Sequence, residues 1–375
     1  MDKKIIPLWI MESPGHSGIA VANLHLCTGM YQIGCRPEIY AIREGENAVD
    51  FRAVGCQIKV FPRLGTPLLG GAAVREAVAA GVNLVHALST DMVKRGERLA
   101  RRLNIPLLAT ANRLEESQLK SMVNFRGQGV IAVSGAILER LVNVAGIARN
   151  RIRIIPNGID LMRLPRPPFT ENPAGAAQLR TPVIGTLGHL SEKKGQRVFL
   201  QAVRILLDKG LDAEFVVLGD GPDRKALRSL ADDLHVANRV IFTPKTASGQ
   251  LSQMDILVEP SLQEGLGVSV MQAMAMGVPV VATGVGGLYD LIQDGKTGLM
   301  VRASDPQALA DAIWRLLDNS ALRLELAKQA RESIERDFSA ELTAQKLKEY
   351  YQENLERFHG WDSGKMQGVV EYFRP

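Results

Sequence analysis

Residues 260–283 read PSLQEGLGVSVMQAMAMGVPVVAT, from Pro260 to Thr283, and this stretch decides the fold. A β-branched run, Ile256–Val258, precedes it and stops at Glu259-Pro260. Gly265 and Gly267 then form a loop whose backbone a ligand can approach closely. Apolar residues follow at helical spacing from Val268 to Met276. Gly277-Val278-Pro279 ends that helix, and Pro279–Ala282 reads as a second buried strand. Strand, loop, helix and strand in so short a span make a βαβ unit, which demands a parallel sheet. The uncharged stretch from Val268 to Leu288 is long enough to span a bilayer, yet Gly277, Pro279, Gly284, Gly286 and Gly287 interrupt it. A buried helix followed by a buried strand accounts for it better than a membrane span.

The same alternation runs outward in both directions. Upstream, apolar runs occur at Ile5–Met11, Ile39–Ile42, Gln57–Phe61, Leu84–Ala87, Pro106–Thr110, Val130–Val133 and Ile152–Ile155, with helical patterns at Ile19–Ile33, Asp91–Leu103 and Ala136–Val144. The segment Leu161 to Arg180 holds Pro165, Pro167, Pro168 and Pro173 and reads as an interdomain linker. The pattern then restarts with strands at Val183–Leu187, Glu214–Leu218, Val240–Thr243, Ile256–Val258, Pro279–Ala282 and Leu299–Val301. Between them lie helices at Arg197–Lys209, Asp223–Leu234, Val268–Met276 and Pro306–Leu317, and Ala340 to about Glu356 is one more. The fold class is therefore α/β, with two Rossmann-like doubly wound domains in tandem facing a central cleft. Residues 1–165 form the first and 166–344 the second, and a C-terminal helix at 345–375 completes the first.

Composition fits this reading. The 375 residues are 46% hydrophobic and 23% charged, ordinary for a globular protein, and a formal charge of +5 favours anionic partners without selecting one. The N-terminal apolar run holds Pro7, stops at Glu12 and lacks a small-residue cleavage site, so it reads as a strand and not a signal peptide. Cys27, Cys35 and Cys56 show no zinc-binding spacing, and reduced thiols in a cytoplasmic protein are the simplest reading.

Four segments stand out, three of them as candidates for chemistry. In the opening stretch, the first amides of the helix starting at Gly267 have no intrahelical partner and offer an anion site for a diphosphate. Glu264, in the loop, can accept hydrogen bonds from sugar hydroxyls, and Gln272, one and a half turns into the helix, can reach a ribose. The second segment is Gly185-Thr-Leu-Gly188-His189-Leu-Ser191-Glu-Lys193-Lys194-Gly195, a glycine loop carrying ammonium groups into a helix. Lys194 beside a diphosphate would act as a point charge. A solvated lysine pair is the structural alternative. The third is Gly15-His16-Ser17-Gly18 after the first strand, either a counterpart phosphate loop or an ordinary strand-to-helix turn. The fourth joins Ile131-Ala-Val-Ser134 to Ile154-Ile-Pro156-Asn157-Gly158-Ile159-Asp160, a turn before the linker that reads as the domain hinge.

These four segments, in this order, resemble the family 4 retaining glycosyltransferases, which have the GT-B fold, and the resemblance runs from Ile5 to about Glu356. It implies a second domain that binds a nucleotide diphosphate sugar and a first that binds a glycan or glycolipid acceptor of the cell envelope, as in polysaccharide or lipopolysaccharide biosynthesis. It implies that Gly18, Gly188, His189, Ser191, Lys194, Glu264, Leu266, Gly267, Val268 and Gln272 hold the donor. Glu264, Lys194 and Asn112 are the catalytic candidates, and His16 and His86 are acceptor-side candidates, although a lone histidine is as readily a structural one. The chain departs from the family at three places. Gln272 stands for a second glutamate eight positions after Glu264, His189 for an arginine, and Asn112 for a histidine near the end of the strand Pro106–Thr110.

The nucleotide sugar is a substrate, and no cofactor or metal is expected: the chain has no Asp-x-Asp pair, and Asp232-Asp233 falls on a solvated helix face. No nucleic-acid partner is expected. Lys94, Arg95, Arg98, Arg101 and Arg102 cluster on one helix and give either a solvated basic face or a peripheral contact with the anionic inner face of a membrane. A diphosphate touched by Gly18 on one side and by Lys194 and Gly267 on the other would close the two domains. Two other functions compete. A binding protein that has lost turnover is compatible with the replacements at His189, Asn112 and Gln272. An NAD-dependent oxidoreductase needs a full glycine fingerprint, of which Gly284-Val-Gly286-Gly287 supplies only part.

Overall fold

The computed structural model describes residues 4–15, 17–62, 64, 71–112, 116–164, 180–244 and 248–360. The chain divides into two compact units, one made of residues 1–160 with 340–375 and the other of 161–339. The division falls a few residues before each boundary expected from the sequence. Backbone bonding explains the shift: the Ala340 N–H donates to the Ile159 carbonyl at 2.9 Å, and the Thr343 hydroxyl donates to the Pro156 carbonyl at 3.2 Å. The returning chain is thus already part of the first unit at Ala340. Of the expected linker, residues 161–163 form one 3-10 turn, and residues 165–179 lie outside the described residues.

The first unit is a seven-stranded sheet. Its strands are β1 (Pro7–Met11), β2 (Glu38–Ala41), β3 (Ile58–Val60), β4 (Leu84–Ala87), β5 (Leu107–Ala111), β6 (Gly129–Ala132) and β7 (Ile152–Ile154). All pairings are parallel, in the order β3-β2-β1-β4-β5-β6-β7, with Trp9 beside Ile39 on one side and His86 on the other. Every residue of β1 is buried, as a parallel strand covered on both faces requires. Ser17 caps the helix Gly18–Gln32 by accepting from the Ala20 amide at 3.2 Å. The final helix, Ala340–Glu356, packs along that first helix. The contact is close enough that a Cβ at Gly29 would stand 2.1 Å from the Ala340 carbonyl oxygen. Tyr350 and Tyr351 join Trp9, Met30, Ile39, Leu84 and Leu108 in one core. The remainder of the helix expected at 345–375, beyond residue 360, lies outside the described residues.

One expectation is corrected here. Cys27 and Cys56 are joined by a disulfide, and only Cys35 is a free thiol. Cys27 lies on the first helix and Cys56 between the helix Ala48–Ala53 and β3, both in the core, and the fold brings them together across 29 residues of sequence. No spacing rule reveals such a pair. Burial pushes the Cys35 thiol up to about 11.

The second unit is a six-stranded parallel sheet of β8 (Val183–Leu187), β9 (Glu214–Leu218), β10 (Val240–Thr243), β11 (Ile256–Glu259), β12 (Val280–Thr283) and β13 (Leu299–Val301). Its order is β10-β9-β8-β11-β12-β13. From β8 the chain first builds outward on one side and then crosses to β11 on the other, so the strand order reverses between β8 and β11. Such a reversal leaves a crevice at the carboxyl ends of the two strands. The core gathers Phe199, Val203, Leu206, Phe215, Val217, Ile256, Val258, Leu309, Ile313 and Leu316. The uncharged stretch after Gly267 is the helix Val268–Ala275, then β12, then a short helix Leu288–Leu291. Among the described residues no helix is long and apolar enough to cross a membrane.

Candidate functional site

The loops that leave β8 and β11 meet at the crevice in the second unit. After β8, the Gly188 amide donates to the Leu218 carbonyl at 2.9 Å and the Leu190 amide to the Asp220 carbonyl at 3.0 Å, tying the loop to the neighbouring strand end. A single turn, Glu192–Lys194, ends at Gly195 in a left-handed conformation with φ of 64°. A Cβ there would stand 1.9 Å from the Pro260 carbonyl oxygen, so both backbone conformation and space demand glycine. The Leu262 amide then donates to the Lys193 carbonyl at 2.7 Å. The two loops are thereby fixed to each other, and Lys194 is carried over the end of β11.

The β11 loop is held from its other side by residues 284–287. A Cβ at Gly286 would come within 2.0 Å of the Glu264 carbonyl oxygen, one at Gly287 within 2.0 Å of that of Gly265, and the Gly287 amide donates to the Glu264 carbonyl at 3.1 Å. The glycines that faintly suggested a dinucleotide fingerprint therefore support the Glu264 loop. Gly267, with φ of 98°, starts the helix Val268–Ala275 without a side-chain cap. The first backbone bond of that helix runs from the Met271 amide to the Gly267 carbonyl at 3.0 Å, which leaves the preceding amides without an intrahelical acceptor.

Three charged side chains converge at this point. The Lys194 ammonium is ion-paired with Glu264 Oε2 and donates to Glu259 Oε1 at 3.3 Å. The other oxygen of Glu264 accepts from the Gly265 amide at 3.0 Å. Glu259 accepts in addition from the Ser261 hydroxyl at 2.5 Å and the Ser269 hydroxyl at 2.7 Å. Burial works against the charge on Lys194, but the charges and hydrogen bonds of Glu259 and Glu264 outweigh it. The net effect holds the ammonium well above its ordinary range, so it stays charged.

Of the donor candidates, Gly188, Lys194, Glu264, Leu266, Gly267 and Val268 share this neighbourhood. Leu266 is buried and offers only its backbone. Gln272 is half-buried in the second turn of the helix. Ser191 precedes the Glu192–Lys194 turn without a side-chain bond to it. The side chain of His189 is exposed, and its carbonyl accepts from the Gln196 amide at 3.1 Å. Sequence reasoning missed Glu259, reading it only as a strand end. The available signal was a carboxylate closing the wholly apolar run Ile256–Val258, because a charge buried in a parallel strand needs a partner.

In the first unit, Gly18 opens its helix beside Ser17. His16 lies outside the described residues. Asn112 is half-buried after β5, with its amide donated to the Leu88 carbonyl at 3.0 Å. His86 does not fit the acceptor-side expectation. It is wholly buried, with Nδ1 bonded to the Tyr351 hydroxyl at 2.6 Å and Nε2 to the Thr110 hydroxyl at 2.7 Å. The Trp9 indole N–H can only donate, and it does so to Tyr351 at 2.8 Å. Both nitrogens are in use, and burial pushes the imidazole pKa down to about 3, so the ring is neutral. His86 borders a small cavity of this unit with Asn23, Thr110, Asn112 and Asn157.

Family models match both units. Residues 16–163 match the glycosyltransferase family 4 model, and residues 181–319 match that of the glycosyl transferases group 1. The chain belongs to the family 4 glycosyltransferases. Its two parallel sheets are those of the family's GT-B fold. Among family relatives, a D-inositol 3-phosphate glycosyltransferase of Corynebacterium urealyticum is 35% identical over 54% of this chain and 51% of its own length. The putative colanic acid biosynthesis glycosyltransferase WcaL of Escherichia coli (strain K12) is 32% identical over 59% of this chain and 56% of its own. A 2-deoxystreptamine glucosyltransferase of Streptomyces kanamyceticus is 29% identical over 62% of each. The chain thus spans between half and two thirds of the length of these relatives. Anabaena Alr3699/HepE, solved in complex with UDP and glucose, superposes with a TM-score of 0.80 at 20% identity, over 93% of this chain and 100% of that one. A glycosyltransferase from Rickettsia africae ESF-5 gives 0.76 at 19% identity, over 95% and 100%. At those identities the likeness is one of fold.

Proposed function

We propose that this family 4 chain is a retaining glycosyltransferase that moves a sugar from a nucleotide diphosphate to a hydroxyl of a glycan or glycolipid, without a cofactor or a bound metal. The observation that carries the reading is the Lys194–Glu264 pair, set beside an uncapped helix start at the sheet's reversal point. When the bond from sugar to diphosphate breaks, negative charge grows on the leaving phosphate. Lys194 and the first amides of the helix Val268–Ala275 are fixed donors for that charge and need no reorganisation. Glu264 accepts hydrogen bonds from the sugar ring hydroxyls and Gln272 from the ribose. The acceptor hydroxyl attacks on the face from which the diphosphate departs, which preserves the anomeric configuration.

The complexes of Anabaena HepE with UDP and with UDP-glucose support a nucleotide-sugar donor. The WcaL relative, named for colanic acid biosynthesis, supports an acceptor in cell-envelope polysaccharide assembly. Lys94, Arg98 and Arg101 lie exposed on the helix Val93–Leu103 and suit work at an anionic membrane surface on the cytoplasmic side. Thermal-shift titration against a panel of nucleotide sugars, with the matching nucleosides as controls, tests the donor class. A true donor at a hundred times its dissociation constant adds about 2.7 kcal/mol of stability. A panel that shifts nothing overturns the reading.

A second reading, a nucleotide-sugar-binding protein without turnover, draws on the full engagement of Lys194 by two carboxylates. Single-turnover transfer of labelled sugar, to acceptor or to water, separates the two readings.

A further inference from the structure

The donor reading leaves one charged group without a task. Glu259 ends β11, and its side chain is 2% exposed. A carboxylate so placed carries a large desolvation penalty unless it is well paired. Three donors offset it: Lys194, Ser261 and Ser269. Ser269 belongs to the first turn of the helix Val268–Ala275, so the anion also lies at the positive end of that helix. Lys194 and this helix start are the groups assigned to the diphosphate. Glu264 takes a second hydrogen of the Lys194 ammonium. Before any phosphate arrives, the bonded set of two carboxylates and one ammonium carries one net negative charge. Holding a diphosphate does not require this, because a neutral glutamine of the same shape could meet the same two serines, accepting from one and donating to the other.

We propose that Glu259 is a charge-tuning residue that weakens the hold of Lys194 and the helix start on the nucleoside diphosphate product, so that it leaves after transfer. The proposal rests on the donor reading. The two ligands differ in charge. A free nucleoside diphosphate has a terminal phosphate whose last ionisation lies near neutral pH, and it carries about one more negative charge than the same diphosphate esterified to a sugar. A fixed anion beside the site repels the more charged product more strongly than the donor. Glu259 therefore separates the two affinities in the direction that turnover needs, while Glu264, on the loop, remains available to the sugar.

The test is Glu259→Gln, which removes the charge and keeps the shape, with Glu259→Met as a second variant that removes the charge without an amide. Far-UV circular dichroism and melting curves report folding. Calorimetry titrates the wild type and both variants with UDP, GDP, ADP and dTDP, with the corresponding nucleosides, and with the nucleotide sugar of whichever base binds. In the variants the diphosphate is expected to bind on the order of tenfold more tightly, the nucleotide sugar to gain less, and the nucleoside to stay unchanged. Product inhibition should deepen in parallel, and a burst of the first turnover should appear. Diphosphate affinity that is equal or weaker in the variants overturns the proposal, because Glu259 would then be a brace for Lys194. Failure of both variants to fold also overturns it, since the carboxylate would then serve the structure. If the wild type binds none of the four diphosphates, it is the donor reading that fails.

Discussion

Replacing Lys194 by methionine has two separable consequences, and their sizes follow from its two partners. The ammonium bonds Glu264 and Glu259, the latter almost fully buried. Removing it strands a buried carboxylate, which typically costs 3–5 kcal/mol. At roughly 2–4 °C for each kcal/mol, the melting transition of the second unit should fall by roughly 6–20 °C. Ligand binding suffers independently. A charge-assisted hydrogen bond contributes about 1.5–3 kcal/mol, and the variant also leaves two carboxylates facing the diphosphate, so nucleoside diphosphate affinity should drop by about a hundredfold or more. The free nucleoside, which has no phosphate, should lose little. The double variant Lys194→Met with Glu259→Met removes both charges of the buried pair. It should recover most of the thermal stability and still fail to bind the diphosphate at wild-type strength. Calorimetry and melting curves on the three proteins decide the matter. Diphosphate affinity within threefold of wild type in Lys194→Met, or equal losses for diphosphate and nucleoside, would refute the assignment of Lys194 to the phosphate.

Glu264→Ala is expected to lower transfer by about a hundredfold or more while nucleoside diphosphate binding persists, and an assay showing near-wild-type turnover would end the role given to that carboxylate. Activity should survive EDTA, because lysine and helix amides supply the countercharge; a rate abolished by chelation and restored by magnesium or manganese would show otherwise. The stability of the first unit should depend on pH through His86. Its pKa is about 3 in the fold against 6.5 for an ordinary imidazole, so between about pH 3 and 6.5 only the unfolded chain takes up the proton. The contribution is complete above pH 6.5 and is lost as pH falls, the loss amounting to about 2 kcal/mol at pH 5. Urea midpoints at pH 8 and pH 5, for the wild type and His86→Phe, measure it, and identical acid losses in the two proteins would rule out His86 as the source.

The sheet architecture was legible because parallel strands covered on both faces read as short apolar runs, and each run from Ile5–Met11 to Leu299–Val301 carries a strand of the structure. The loops of the second unit were legible for a related reason. Gly195 and Gly267 stand where the backbone turns sharply and another chain segment passes close by, and the ammonium and carboxylate beside them have clear chemistry. What the sequence hid was pairing at a distance. The Cys27–Cys56 bond and the chain from Trp9 through Tyr351 and His86 to Thr110 join residues whose nearness only the assembled sheet creates. Glu259 was hidden differently. Its identity was plain, but its burial, and hence its need for Lys194, Ser261 and Ser269, became visible only with side-chain positions.

The departures from the family pattern bear on one another through charge. Histidine at 189 in place of arginine removes a permanent positive charge, and glutamine at 272 in place of glutamate removes a negative one. The two changes cancel in formal charge, although the side chains differ in what they can reach. On the proposed reading, Gln272 keeps one acceptor oxygen for a ribose hydroxyl and adds no further anion beside the phosphates. His189 is exposed at the edge of the Gly188 loop, where its backbone carbonyl accepts from the Gln196 side-chain amide. Lys194 is then the permanent cation that the site's hydrogen bonds hold in place, and Glu259 and Glu264 both draw on it. In such a site the balance between holding and releasing a diphosphate rests on how those two carboxylates share one ammonium. A change at Glu259 should therefore move diphosphate affinity more than a change at His189, whose side chain stands in solvent, where screening weakens any charge it takes up.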